Sequence, residues 1–245
     1  MVKLIFTLFF MCVLGASLSV AQIQFQTDTI KTSTGDIAVT FIGHGTLMFQ
    51  YNNLVIHVDP VGQYANYSNL PQADIILVTH HHGDHLDKNA ITTIKKPTTD
   101  LILTATCAKE IKMGTILKNG ESKIVQGIKV EAVPAYNLVN KRDNGEPFHP
   151  RGIGNGYVIT FGNIKIYIAG DTENIPEMRN LKDIDIAFLP MNLPYTMAPG
   201  MVARAVRMFN PKVLYPYHFG DTNVQELVEL LKDKTDLKIM IRKLN

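Results

Sequence analysis

The sequence predicts an α/β fold, because short runs typical of β-strands alternate with a segment of helical spacing. Residues 74–78 are an apolar run that is too short for a helix and ends in polar residues, which indicates a buried strand. Residues 86–94 then place apolar side chains at helical spacing, and residues 101–103 resume strand character after Pro97. Strand, loop, helix and strand in this order predict helices packed on a sheet.

The amino-terminal segment has the pattern of a secretory signal peptide. Lys3 precedes an apolar run over residues 4–14, and Ser19-Val20-Ala21 supplies the small side chains of a cleavage site. We predict a signal peptide over 1–21 and a mature domain over 22–245, exported to the periplasm or secreted. No later stretch has the roughly 18 apolar residues of a spanning helix, so no stable membrane association is expected after cleavage.

The mature chain is predicted to be one domain, since its length suits a single α/β domain and no repeat or linker divides it. The formal net charge of +2 argues against a surface that coats nucleic acid, and a small-molecule substrate is expected instead. Cys107 is the one cysteine of the mature chain, so an intramolecular disulfide is excluded. Its small neighbours favour a buried packing residue over a nucleophilic thiol.

Further β-type runs lie on both sides of this central segment. Residues 37–42, 46–51 and 54–58 predict an antiparallel meander. Two hairpins are predicted later, 122–125 with 128–133 and 157–161 with 164–169.

The segment between the hairpins, residues 137–155, is polar and rich in glycine and proline, and loops of this length are often functional. Near the end of the chain, Thr222 and Gln225 form a capping-box pattern before a terminal helix, and residues 237–241 form a last strand.

The stretch His80-His81-His82-Gly83-Asp84-His85 offers the nitrogen and oxygen donors that borderline metals prefer. His80 and His82 are two residues apart in an extended segment, so they point the same way and could bind one ion, whereas His81 points away. Asp84 and His85 lie where the chain turns into the next helix and could face a second ion. The cluster follows a buried strand, which favours a metal site over a solvent-exposed histidine run.

Two later residues are delivered by strand ends in the same manner. Asp171 follows the apolar run 164–169 after one glycine, and His218 follows the run 213–217. A buried strand that ends in an ionisable residue is a good platform for a ligand. A turn aspartate and a core histidine are the ordinary alternatives for these two positions.

Residues 79–87 resemble the His-x-His-x-Asp-His signature of the metallo-β-lactamase superfamily. Other short motifs fall in the family's order: Gly43-His44-Gly45, Asp59-Pro60, Ala169-Gly170-Asp171-Thr172 and Tyr217-His218. The pattern is most similar to the branch of ascorbate-6-phosphate lactonase and the N-acyl-phosphatidylethanolamine phospholipase. The resemblance implies a four-layered αββα sandwich with the metals at one edge between the sheets.

The resemblance also implies roles for individual residues. His80 and His82 would bind the first metal, and Asp171 would bridge it to a second metal bound by Asp84, His85 and His218. His44 would lie on the substrate side, and Asp59 would orient a ligating imidazole. The expected cofactor is Zn²⁺, one or two ions, with Mn²⁺ as the alternative.

One position departs from the family pattern. Where relatives have a third first-site histidine after Pro-Ala-x, this chain reads Val133-Pro134-Ala135-Tyr136-Asn137. Either Asn137 serves as a weaker, neutral oxygen ligand, or His149 is recruited from the long loop. A loop histidine that faces substrate or solvent is the alternative for His149.

These features predict a hydrolase that uses a metal-bound hydroxide, because a divalent metal lowers the pKa of water from 15.7 to about 7. Asp84 could orient this nucleophile or accept its proton, and Tyr195 or His44 could stabilise developing charge. Lactones, phosphodiesters and related esters or amides are the expected substrates. Lys141, Arg142 and Arg151 could bind an anionic group, although solvated loop charges are the ordinary explanation.

Two alternatives belong to other classes of protein. Some relatives hold two irons and reduce oxygen or nitric oxide, but those carry a glutamate at the position of His82. A non-catalytic exported metal-binding module is the second alternative, because Asn137 replaces a ligand.

Overall fold

The structure is a computed structural model, and it describes residues 25–244. Two seven-stranded sheets pack face to face, and helices cover the outer face of each sheet. The predicted signal peptide, residues 1–21, lies outside the described residues. Within residues 25–244 no helix has the length and apolar character needed to cross a bilayer.

The strands of the first sheet follow one another in sequence order. The first four strands pair antiparallel and the last four pair parallel, with the fourth strand common to both sets. They are β1 (Gln26–Thr32), β2 (Gly35–Gly43), β3 (Thr46–Tyr51), β4 (Leu54–Val58), β5 (Ala73–Leu77), β6 (Lys95–Leu103) and β7 (Thr115–Ile116).

The second sheet repeats this arrangement, with four antiparallel strands followed by three that add in parallel. Its strands are β8 (Ser122–Val125), β9 (Ile128–Ala135), β10 (Gly154–Phe161), β11 (Ile164–Ile168), β12 (Ile186–Pro190), β13 (Val213–Tyr217) and β14 (Lys238–Ile239). In both sheets the parallel half therefore follows the antiparallel half along the chain.

The core between the sheets is built largely from aromatic and β-branched side chains. Phe41 and Phe49 of the first sheet pack against Phe188 and Phe161 of the second, with ring centroids 6.0–6.3 Å apart. Such contacts bury large apolar areas and hold the two sheets together.

The helices complete the outer layers of the sandwich. Helices α1 (Lys88–Ile94) and α2 (Ala105–Ile111) cover the first sheet, whereas α3 (Pro199–Phe209) and α4 (Val224–Leu230) cover the second. The expected four-layered αββα sandwich is confirmed.

The antiparallel meander, both hairpins and the strand before the histidine motif are confirmed, with small shifts at their ends. The predicted first helix begins at Lys88, two residues later than expected, because the Asp87 side chain accepts hydrogen bonds from the first backbone N–H groups. The predicted capping box at Thr222 is wrong, since Asn223 is the N-cap and its side chain accepts from the N–H of Gln225. Strands β1, β7 and β12 and helices α2 and α3 were not predicted from the sequence.

Candidate metal centre

The predicted site residues collect at one end of the sandwich, where parallel strands finish. His80 follows β5, Asp59 follows β4, Asp171 follows β11 and His218 follows β13. Because parallel strands end at the same edge of a sheet, four separate parts of the chain deliver their side chains to a common place.

The backbone at these strand ends is bent sharply. Asp59, His218 and His44 have φ values of 47°, 47° and 52°, in the left-handed region that favours glycine. Residues held in this region cost about 1–3 kcal/mol each and cluster at functional sites. Gly170 is also left-handed, and a Cβ there would lie 2.8 Å from the carbonyl oxygen of Asn155.

Two groups of donor atoms form within this end of the molecule. His80, His82 and His149 make the first group, with one ring nitrogen of each within 4.8 Å of the others. The second group joins His44, Asp84, His85 and His218 at the same separation.

Asp171 lies between the two groups. Its Oδ2 is 3.2 Å from Nε2 of His149 and 3.8 Å from Nε2 of His80, both in the first group. In the second group, Nε2 of His85 is 3.3 Å from Oδ1, and Nε2 of His218 is 3.4 Å from Oδ2. The geometry therefore suits a carboxylate shared by two ions.

Several buried polar atoms at this point have no hydrogen-bond partner among the described residues. They are Nε2 of His80, Nε2 of His85, Nε2 of His218 and Oδ1 of Asp171. An unsatisfied buried polar atom costs about 1–3 kcal/mol, so native proteins rarely leave four together. Divalent metals bind such donors, and the residues present therefore fit a metal centre.

Asp59 fixes the orientation of two imidazoles. Its Oδ2 accepts from Nδ1 of His85 at 2.7 Å and from the hydroxyl of Thr79 at 2.7 Å. Because that hydroxyl donates to Asp59, it accepts from Nδ1 of His80, 3.0 Å away. Both imidazoles then carry a proton on Nδ1 and turn Nε2 toward the centre, which is the orienting role expected for Asp59 from the sequence.

The electrostatics keep His80, His82 and Asp171 in forms that bind a cation. The pKa of His85 shifts the other way: although burial lowers it, Asp171 and Asp59 raise it well above its usual range. Burial lowers the pKa of His80 well below its usual range, with the neighbouring His85 adding to the effect. Burial and then the proximity of His149 lower the pKa of His82 to about 4. Although burial opposes ionisation of Asp171, the nearby His218 and His85 hold its pKa well below its usual range. Neutral imidazoles and an ionised carboxylate are the forms that bind metals.

Asn137 does not face the centre, contrary to its prediction as a ligand. Its Oδ1 accepts from the backbone N–H of His149 at 2.9 Å and lies 2.6 Å from Nδ1 of that imidazole. Its Nδ2 donates to Glu173 at 3.1 Å and to the carbonyl oxygen of Tyr195 at 2.9 Å. Both polar atoms of its side chain are engaged in these contacts, and His149 instead completes the first group with His80 and His82.

A cavity of about 480 Å³ opens directly onto the two groups. Among its lining residues, His44 faces the cavity with Nε2 3.1 Å from Oδ2 of Asp84, while Tyr195 stands at the rim. Arg142 and Phe148, from the long loop, also line the cavity, and the guanidinium lies 5.1 Å from the ring centroid. Lys141 and Arg151 do not line this cavity.

Some residues of the site carried no recognisable sequence signal. Asn192 lines the cavity, Tyr64 stacks on His44, and Glu173 is fully buried beside Asn137. None of the three belongs to a motif recognised in the sequence, although Glu173 directly follows one, so only the folded chain identifies them.

Cys107 is buried within α2, as expected for a packing residue. Burial raises the pKa of its thiol to about 11, and the thiol lies against the Thr104 hydroxyl at 3.2 Å. A thiol held in its protonated form is a poor nucleophile, so the alternative role is not supported.

The αββα sandwich, with two groups of histidine and carboxylate donors at one edge, defines a metal-binding class of protein. A family profile described as "Beta-lactamase superfamily domain" matches residues 38–218. The chain belongs to this family, the metallo-β-lactamase superfamily, and is a metal-dependent hydrolase.

Known proteins similar to this chain are named metal-dependent hydrolases. A UPF0173 metal-dependent hydrolase from Nanoarchaeum equitans is 32% identical over 188 residues, covering 74% of this chain and 83% of the relative. A crystal structure from Parabacteroides distasonis, provisionally named a metal-dependent hydrolase, is 51% identical. It has a TM-score of 0.87 and covers 91% of this chain and 100% of its own.

The fold is also shared with an enzyme of different chemistry. CmlA, a diiron β-hydroxylase from Streptomyces venezuelae, has a TM-score of 0.68 at 16% identity. The match covers 87% of this chain and 54% of that one, and at this identity it shows the fold alone.

Proposed function

We propose that this chain uses two divalent metal ions to hydrolyse a small anionic ester, either a lactone or a phosphodiester. Zinc is the metal that best suits these imidazole and carboxylate donors. The unpartnered Nε2 atoms of His80, His85 and His218, together with Asp171, carry this proposal. His80, His82 and His149 would bind the first ion, and Asp84, His85 and His218 the second, with Asp171 shared. His44 is left outside, because its Nε2 already contacts Asp84.

A divalent metal supplies Lewis acidity and lowers the pKa of a water molecule toward neutrality. Asp84 lines the cavity with its side chain partly exposed, where its carboxylate could orient the attacking water. The nearby His218 and His44 oppose the effect of burial and lower the pKa of Asp84, which therefore stays ionised. Since Nε2 of His44 already contacts Asp84, we assign the stabilisation of developing charge to the hydroxyl of Tyr195, which also lines the cavity.

The cavity wall supports the proposed substrate class. Arg142 is the one lysine or arginine among the lining residues, and it stacks on Phe148, which in turn meets the ring of Tyr195 edge-on at 5.1 Å. A guanidinium held against an aromatic face recognises carboxylate or phosphate groups. The resemblance to the lactonase and phospholipase branch also supports a lactone or phosphodiester.

The proposal is tested by loading the purified protein with zinc or manganese and assaying lactones, phosphodiesters, esters and amides. We expect hydrolysis of at least one anionic lactone or phosphodiester. The His82→Ala variant should lose both the first metal and this activity. His81→Ala is the matched control, because His81 belongs to neither donor group. Inactivity of the fully loaded protein on the whole panel would favour the non-catalytic module.

The diiron alternative has a separate test. The relatives named metal-dependent hydrolases favour hydrolysis, whereas the likeness to the diiron β-hydroxylase concerns the fold alone. Metal analysis of protein purified without added metal should find zinc or manganese and no oxygen-dependent turnover. Stoichiometric iron with oxygen consumption would replace the hydrolase proposal.

We also propose that the protein is exported, on the basis of the leader pattern over residues 1–21. Fractionation of expressing cells should place it in the periplasm or medium, with Gln22 as its amino terminus. An intact amino terminus in the cytoplasmic fraction would contradict export.

A further inference from the structure

Glu173 is a fully buried carboxylate that no cation neutralises among the described residues. Its Oε2 accepts from the backbone N–H groups of Leu138 and Val139, both at 2.8 Å. Its Oε1 accepts from the N–H of Asn140 at 2.7 Å and from Nδ2 of Asn137 at 3.1 Å. Four donors on one carboxylate compensate its burial and pin the start of the long loop.

These contacts fix which way the Asn137 amide points. Its Nδ2 faces two groups that can only accept, the Glu173 carboxylate and the carbonyl oxygen of Tyr195. The amide oxygen must therefore be the atom that faces His149, 2.6 Å from its Nδ1. Because an amide oxygen only accepts, Nδ1 of His149 must carry the proton.

The tautomer decides what His149 can bind. With its proton on Nδ1, a neutral imidazole presents an unprotonated Nε2, which lies 3.2 Å from Asp171 and 3.1 Å from Nδ1 of His82. The backbone strengthens the arrangement, since the N–H of Asn137 donates to the carbonyl oxygen of His149 at 2.9 Å. Asn137 thus stands where the family has a ligand and holds the residue that replaces it.

We propose that Glu173 and Asn137 are positioning residues that hold His149 as the third ligand of the first metal site. Glu173 orients the Asn137 amide, and the amide sets the tautomer and direction of the His149 imidazole. This inference rests on the proposed metal site, in which His149 binds the first ion. It assigns a role to the departure from the family pattern at position 137.

The test compares stepwise metal affinities, measured by chelator competition, in the full chain and its variants. Asn137→Ala should weaken the first-site affinity about 10–100-fold, the usual cost of removing a partner of a ligating histidine, and leave the second site within about threefold. Glu173→Gln should act in the same direction, because its amide would face backbone N–H donors. Cobalt-loaded protein should show a matching change in its visible absorption for the first site only.

Matched controls separate positioning from general loop damage. Asn140→Ala removes an amide in the same loop that donates to the carbonyl oxygen of Thr196 and does not contact His149. Glu177→Gln changes a carboxylate that contacts Tyr136 and Arg151 instead. Both should keep wild-type affinities at the two sites.

The outcomes distinguish this inference from the proposed site. Loss of the first metal in His149→Ala with wild-type affinity in Asn137→Ala would overturn the positioning role and keep the site. Unchanged first-site affinity in His149→Ala would overturn both. Should the variants not fold, nitrogen-15 spectra of the metal-free wild-type imidazoles, assigned with His149→Gln, decide: the Nδ1–H tautomer supports the inference, and the Nε2–H tautomer overturns it.

Discussion

Nδ1 of His85 lies 2.7 Å from Oδ2 of Asp59, and both side chains are fully buried. The same carboxylate also accepts from Thr79, whose hydroxyl is 3.0 Å from His80. One residue outside both donor groups therefore orients an imidazole of each group. Burial raises the pKa of Asp59, and the contacts with His85 and Thr79 oppose that effect.

Asp59→Asn should weaken binding of the second metal about 10–100-fold, with a smaller effect on the first. The carboxylate now accepts from Nδ1 of His85 and from both the hydroxyl and the backbone N–H of Thr79. An amide would present a donor to one of these groups, and His85 would lose its fixed tautomer. Chelator competition measures both affinities. Asp74→Asn is the control, since Asp74 accepts from Val55 far from the centre. Equal affinities in Asp59→Asn and wild type would contradict this role.

Gly45→Ala should disrupt the second group of donors. A Cβ at Gly45 would lie 2.6 Å from Cε1 of His85, so the imidazole would have to leave its present position. Second-site metal affinity, measured by isothermal titration calorimetry, should fall at least tenfold. This is about the loss seen when a residue that orients a metal ligand is removed. Gly83→Ala is the control within the histidine motif, because no atom lies within 4 Å of its added Cβ. Similar metal binding in both variants would refute the steric argument.

Arg142→Gln should raise KM for an anionic substrate about tenfold or more, with little change in kcat or metal content. The expected size follows from the loss of a charge-assisted contact worth about 1.5–3 kcal/mol. Lys141→Gln is the control, since Lys141 neighbours Arg142 in sequence and does not line the cavity. Steady-state kinetics that rank the two variants alike would show that Arg142 does not bind the substrate.

His57 should make the fold sensitive to acid. Burial lowers its pKa from 6.5 to about 4, so below pH 6.5 the unfolded chain binds a proton that the folded chain does not. Stability should fall as the pH drops from about 6.5 to about 4, by up to about 3 kcal/mol from this residue. His57→Gln can keep the contact with the Pro71 carbonyl without titrating. Urea unfolding of metal-free protein should give a flatter pH profile in the variant, and identical profiles would contradict this assignment.

The sequence was sufficient to predict those site residues that lie in one motif or directly after an apolar strand. His80, His82, Asp84 and His85 share one loop, and strand patterns placed Asp171 and His218 at equivalent strand ends. The role of Asn137 could not be predicted, because it depends on which way a buried amide points. That direction is set by Glu173, which is distant from Asn137 in sequence.

The fold was predictable where side chains alternate or form apolar runs. Strand β1 escaped prediction because it lies at a sheet edge and its residues are mostly exposed and polar. The start of β6 is also polar and contains a proline, so only residues 101–103 of Lys95–Leu103 were anticipated. In both strands, pairing with a neighbouring strand supplies the stability that apolar content does not.

The direct test of the metal centre is a crystal of the zinc-loaded protein measured at wavelengths on either side of the zinc absorption edge. Two anomalous peaks are expected. One should contact His80, His82 and His149, the other should contact Asp84, His85 and His218, and Asp171 should lie beside both. A single peak, or a first ion bound by the Asn137 oxygen with His149 turned away, would contradict this arrangement.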